Sequence, residues 1–158
     1  MTEDNLTFFS MIYIGIDTGV HTGFAVWNTD TKEFESLFCT DIHVAMYWVK
    51  HWKEFAEDNG VKLFVRVEDP RQRTWFGTER MSREEERKRL QGVGSVKRDA
   101  SIWDAYLKDL GVSYEMVAPK RNVTKITHDT FASLTGWNKK KRTNEHMRDA
   151  AMLVYGYK

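Results

Sequence analysis

MIYIGIDTGVHTGFAVW, residues 11–27, is the stretch on which the fold turns. Positions 11–16 are almost all apolar and rich in β-branched side chains, the composition of a strand buried on both faces. Such a strand belongs in the middle of a sheet. Asp17 stands at its end, and Gly19 and Gly23 bracket a tight turn that sends the chain back as a second strand over 23–27. Turn-prone Asn28-Thr29-Asp30 leads into a third strand over 34–39, so the first three strands form an antiparallel meander.

Outward from this core the period changes. Ile42, Met46, Val49 and Phe55 keep helical spacing, which predicts a helix over 41–58 with Asp41 as N-cap and Asn59-Gly60 as its end. A fourth strand over 61–67 follows a helical crossover and therefore takes a parallel neighbour. Residues 70–78 read as a loop. Ser82 caps a short charged helix stopping at Gly92, and a second helix runs over 97–110 with Trp103, Tyr106, Leu107 and Leu110 as its apolar stripe. A fifth strand covers 112–117, an interrupted helix 119–136 and a basic loop 138–143. Thr143 or Asn144 caps a last helix whose buried face is Met147, Ala150, Ala151 and Val154. The expected architecture is α/β: a five-stranded mixed sheet, three antiparallel strands and then parallel ones, with helices on both faces.

The 158 residues suit a single domain over 11–158, preceded by an extension over 1–10. No apolar run is long enough to span a bilayer, and the acidic start lacks the pattern of a secretory signal, so a cytoplasmic protein is expected. The lone Cys39 agrees with a reducing compartment and reads as a small apolar side chain. A net charge of +1 hides a strong asymmetry. Residues 1–60 carry ten acids against three bases, whereas 71–98 carry nine bases against four acids and 120–148 eight bases against two acids. Two basic blocks of this kind attract polyanions such as nucleic acid. Around 84–89 acids and bases pair along the helix, but Lys139-Lys140-Lys141-Arg142 contains no acid at all.

Four residues carry the chemistry. Asp17 ends the central strand, Glu68 ends the fourth, and His146 and Asp149 lie three apart on the last helix, about 60° apart around its axis. Each has an ordinary explanation alone: a turn residue, a strand exit, a capping group. Asp149 is the hardest to dismiss, because a carboxylate beside the buried Ala150 needs a partner or a metal. Together, three carboxylates suit hard divalent cations, for which the imidazole is a less natural ligand, and a pair of such ions cleaves phosphodiesters. Asp69 competes with Glu68, but alternation sends it to the opposite face. Near these residues, Arg71, Arg73 and Arg80, Lys97 and Arg98 at a helix N-terminus, and Lys139, Lys140, Lys141 and Arg142 are candidate phosphate contacts. Trp75 and Phe76 could stack on an unpaired base or pack against neighbouring helices. Trp48, Trp52 and Trp103 fit an interface or a core.

Gly15-Ile16-Asp17-Thr18-Gly19 with Thr22-Gly23, then Val67-Glu68, then His146-Met147-Arg148-Asp149-Ala150, resemble the successive motifs of RuvC-type Holliday junction resolvases, which have a ribonuclease H-like fold. Gly92-Val93-Gly94 and Val117-Ala118-Pro119 agree with that family's spacing, and Thr18 replaces its usual proline. The resemblance implies a crossover junction endodeoxyribonuclease, leaving a 5′-phosphate and a 3′-hydroxyl. It implies Mg²⁺, with Mn²⁺ as substitute and two ions per site. Asp17 would bridge them, Glu68 and Asp149 would complete the ligands, and His146 would bind metal or deprotonate water. A homodimer acting on four-way DNA junctions is the implied assembly, without membrane or nucleotide cofactor, and the small size suits a phage or prophage version. The alternatives are a ribonuclease H-like nuclease acting on RNA precursors or DNA flaps, a catalytically silent nucleic-acid-binding module, and an actin-like ATPase domain.

Overall fold

The structure is a computed structural model and describes residues 11–73, 82–120 and 124–158. Strand β1 (Met11–Asp17) occupies the centre of a five-stranded sheet. On one side β2 (Thr22–Asn28) and β3 (Glu33–Thr40) follow as the antiparallel meander; on the other β4 (Lys62–Glu68) and β5 (Ser113–Val117) run parallel to β1, giving the order β3-β2-β1-β4-β5. Helices α1 (Ile42–Asn59) and α2 (Arg83–Leu110) provide the two parallel crossovers, and α3 (His128–Thr135) and α4 (Glu145–Met152) follow β5.

The alternation along β1 builds a core on each side of the sheet. Ile12, Ile14 and Ile16 meet Val49 of α1 and Trp103 and Leu107 of α2 in one apolar cluster. On the other face Ala25 and Trp27 of β2 meet Phe131 of α3 and Ala150 and Ala151 of α4. A strand buried on both faces is what the apolar run at 11–16 predicts. Trp103 lies in the core, and Trp48 and Trp52 pack against it half-buried. Cys39 is a free thiol, half-buried rather than buried.

Two expectations about helices are corrected. The break at Gly92 does not occur: α2 is one helix of 28 residues through Gly92 and Gly94. Glycine in a helix costs about 1 kcal/mol, which does not by itself end one. Here Ser82 and Glu85 form a reciprocal capping box, and Ala100, Trp103 and Leu107 anchor the far end in the core. Lys97 and Arg98 therefore sit mid-helix, where backbone N–H groups are already bonded, not at an N-terminus. Secondly, within 119–136 only α3 is helical among the described residues. Thr127, extended, caps it by accepting from the Thr130 N–H, and Gly136 ends it in a left-handed conformation. The other ends fall close to expectation: Asp41 is N-cap of α1 but makes no side-chain cap bond there, and Asn144 caps α4 by accepting from the Met147 N–H.

Candidate active site

Asp17 and Glu68 are the last residues of adjacent parallel strands, with Ile16 opposite Val67 in the register, so both carboxylates leave the same edge of the sheet. Thr18 Oγ1 donates to the Glu68 carbonyl at 3.1 Å and ties the two exits together. Helix α4 lies over β1 and β2 at unusually close range. A Cβ built on Gly15 would collide with the Ala150 carbonyl, and one on Gly23 with the His146 carbonyl. These two glycines flank Asp17 in the sheet and let α4 bring His146 and Asp149 down onto it. All four residues line one cleft of about 240 Å³, together with Thr18, Arg73 and Lys125.

The cleft is electrostatically tense. The Asp17 side chain is 12% exposed. Burial, then contact with the Glu68 carboxyl, then the charges of Glu68 and Asp149, hold its pKa far above the ordinary carboxylate range, with Lys125 opposing. His146 Nδ1 lies 3.0 Å from Asp17 Oδ2, so one proton shared between them satisfies both atoms. The Lys125 ammonium sits directly on Asp149 Oδ2. Burial disfavours its charge, but the bond to Asp149 and the nearby Asp17 and Glu145 outweigh this and raise its pKa. Among the described residues no three His, Cys, Asp or Glu side chains already stand in ligating geometry. The donor chemistry nevertheless fits a hard divalent cation: three crowded carboxylates, one of them pushed toward its protonated form by burial and by the other two.

No protein-family profile and no curated protein matches the chain. Among solved structures it is similar to T. thermophilus RuvC in complex with a Holliday junction substrate, at a TM-score of 0.50 and 14% identity over 90% of each chain. The fold is that of RuvC. On this ribonuclease H-like frame the mixed sheet, antiparallel and then parallel, agrees with the architecture expected from the sequence.

The remaining candidates distribute unevenly around the RuvC frame. Arg73 lines the cleft. Arg71 is engaged within the protein: it donates to Asp69 at 2.8 and 2.9 Å, to Asp104 at 3.0 Å and to Ser101 at 3.3 Å. Asp69 is buried and does not line the cleft; burial alone would raise its pKa, but bonds from Arg71 and Gln72 hold it below the usual range. Lys97 and Arg98 are exposed on α2, and Lys139, Lys140, Lys141 and Arg142 form an exposed turn outside the cleft lining. Buried His128 braces that turn, with Nε2 donating to the Lys139 carbonyl and Nδ1 accepting from the Thr143 N–H. Trp75, Phe76 and Arg80 lie outside the described residues. Sequence reasoning missed Lys125. It belongs to no motif, and only its being the one Lys or Arg between 122 and 138 singles it out.

Proposed function

We propose that this chain is a divalent-metal-dependent endonuclease of the RuvC kind, cutting four-way DNA junctions as a homodimer built from the 11–158 unit. The observation that carries the proposal is the meeting of Asp17, Glu68, His146 and Asp149, contributed by three separate elements, in one cleft on a RuvC fold. The similar solved protein is RuvC bound to a Holliday junction substrate, which supports DNA as the partner. Mg²⁺ or Mn²⁺, when bound, supplies positive charge to the scissile phosphate and lowers the pKa of the attacking water.

The residues' own work follows from their positions. Asp17, between Glu68 and His146, would be the central residue holding such an ion, in its deprotonated form. Glu68 and Asp149 flank it. His146, anchored through Nδ1 to Asp17, keeps Nε2 to accept the proton of the attacking water. Water oxygen bonds to phosphorus, the P–O3′ bond breaks, and the 3′-oxygen leaves and takes up a proton, giving a 5′-phosphate and a 3′-hydroxyl. Lys125, displaced from Asp149, meets a non-bridging phosphate oxygen. Arg73 in the cleft and the Lys139–Arg142 turn outside it hold the flanking phosphates.

Cleavage of a synthetic four-way junction, a flap and a linear duplex in Mg²⁺ and in EDTA tests the assignment. Metal-dependent, paired nicks in the junction are expected. Equal cutting of all three substrates would remove the junction preference and keep the nuclease; no cutting with Mg²⁺, Mn²⁺ or Co²⁺ would favour a binding module.

A further inference from the structure

A second cavity, also of about 240 Å³, opens beside the carboxylate cleft and shares Glu68, Lys125 and Asp149 with it. Its character is different. Ala118 and Ile126 on one side and Met152 and Leu153 on the other give it apolar walls. It lies over the β4–β5 side of the sheet, past the end of α4. Arg66 forms a fixed polar edge: Nε donates to Glu115 at 2.5 Å, Nη1 donates to the Leu153 carbonyl at 2.5 Å, and the guanidinium rests 4.9 Å from the Tyr157 ring centroid. Nη2 takes part in neither bond. Lys120 adds a second donor at the rim.

Apolar walls with a few fixed donors make a binding site for a flat, partly polar group. An apolar cavity of about 150 Å³ already accepts benzene, so this one has room for a larger heterocycle. Its neighbour sets what that heterocycle is. A phosphodiester seated against Glu68 and Asp149 carries its base within one sugar of the shared wall, and the donors Arg66 and Lys120 suit the carbonyl edge of a base. We propose that this cavity takes an unstacked nucleobase of the strand being cut, adjacent to the phosphate in the cleft, and so determines sequence preference at the cut. The inference rests on the nuclease reading for the identity of its ligand.

The test needs no cleavage. Methyl NMR signals of Ile126, Met152 and Leu153 are followed in Mg²⁺ while a deoxynucleoside 5′-monophosphate, deoxyribose 5-phosphate or inorganic phosphate is added. The nucleotide is expected to bind about tenfold tighter than the sugar phosphate, the order for removing part of one base face from water against apolar walls, and to move all three methyls. Ala118 is exposed, so Ala118→Phe and the milder Ala118→Leu fill the cavity without touching the core. Both should bring the nucleotide down to the sugar phosphate's affinity while Mn²⁺ binding stays unchanged. Equal affinity for nucleotide and sugar phosphate in the wild type, or a preference that survives both substitutions, would overturn the proposal. If junctions are cut but the preference is absent, the base site falls and the nuclease stands. If the preference is present but no DNA is cut, the reverse holds.

Discussion

At the level of single residues the cleft is governed by three crowded carboxyl groups, the buried Asp17 among them. Asp17→Asn removes the proposed central ligand while preserving shape. Cleavage should fall below detection, and junction affinity in Ca²⁺ should change by less than about threefold, since phosphate contacts dominate binding. A parallel loss of both would point to misfolding and count against the assigned role. Lys125 makes a sharper case because it is paired with Asp149, a proposed metal ligand. Lys125→Met frees Asp149 of its ammonium. Mn²⁺ should therefore bind more tightly, as read by calorimetry, whereas the single-turnover cleavage rate should drop by about 10²-fold, the usual cost of removing one positioned transition-state donor. Weaker Mn²⁺ binding would show that Lys125 supports the ligand cluster instead of competing with the ion.

At the level of elements the site depends on how near α4 comes to the sheet. Gly23→Ala puts a methyl where the His146 carbonyl stands, so the helix has to move or tilt. The cost expected for such overpacking is about 1–3 kcal/mol in chemical denaturation, with a disproportionate loss of cleavage because His146 is carried away from Asp17. Ala at Gly92, which meets open space within α2, should instead leave activity intact and stabilise the helix by up to about 1 kcal/mol. This contrast also explains what was legible in the sequence. The β1 run with its terminal Asp17, and the His146/Asp149 pair, were readable because strand and helix periods act locally and the motif glycines sit at fixed offsets. Gly92 and Gly94 misled because a glycine's local cost looks the same whether or not a capping box and a buried Trp103 hold the helix together. Lys125 was invisible because only the folding of β5, α3 and α4 brings it to Asp149, 24 positions away. Arg71 looked like a phosphate contact for a similar reason: Asp104, the partner that engages it along with Asp69, is far along the chain.

Over the whole molecule, the acidic first third and the two basic blocks each send residues to the cleft, and the proton held there bears on how stability follows pH. Asp17 has an ordinary pKa of 3.8 when unfolded and a much higher one in the folded, metal-free protein. The folded state thus holds a proton that the unfolded state releases. The stability this contributes is complete below the unfolded value and is lost as pH rises toward the folded one. Asp69 and Asp104 act oppositely. Burial works against Asp69, but bonds from Arg71 and Gln72 lower its pKa, and bonds from Tyr114 and then Arg71 lower that of Asp104, so their stabilisation is lost as pH falls below about 4. In EDTA the melting temperature should therefore be higher at pH 5 than at pH 8. If the proposed divalent cation takes the place of the proton, the stabilisation by Mg²⁺ or Mn²⁺ should grow with pH over the same interval, with protons released on binding. Asp17→Asn carries no such proton. Its melting temperature in EDTA should vary less between pH 5 and pH 8, exceed that of the wild type at pH 8, and respond weakly to metal. An Asn variant that keeps the wild-type slope with pH would move the crowded proton to another group, and with it the centre of the cleft away from Asp17.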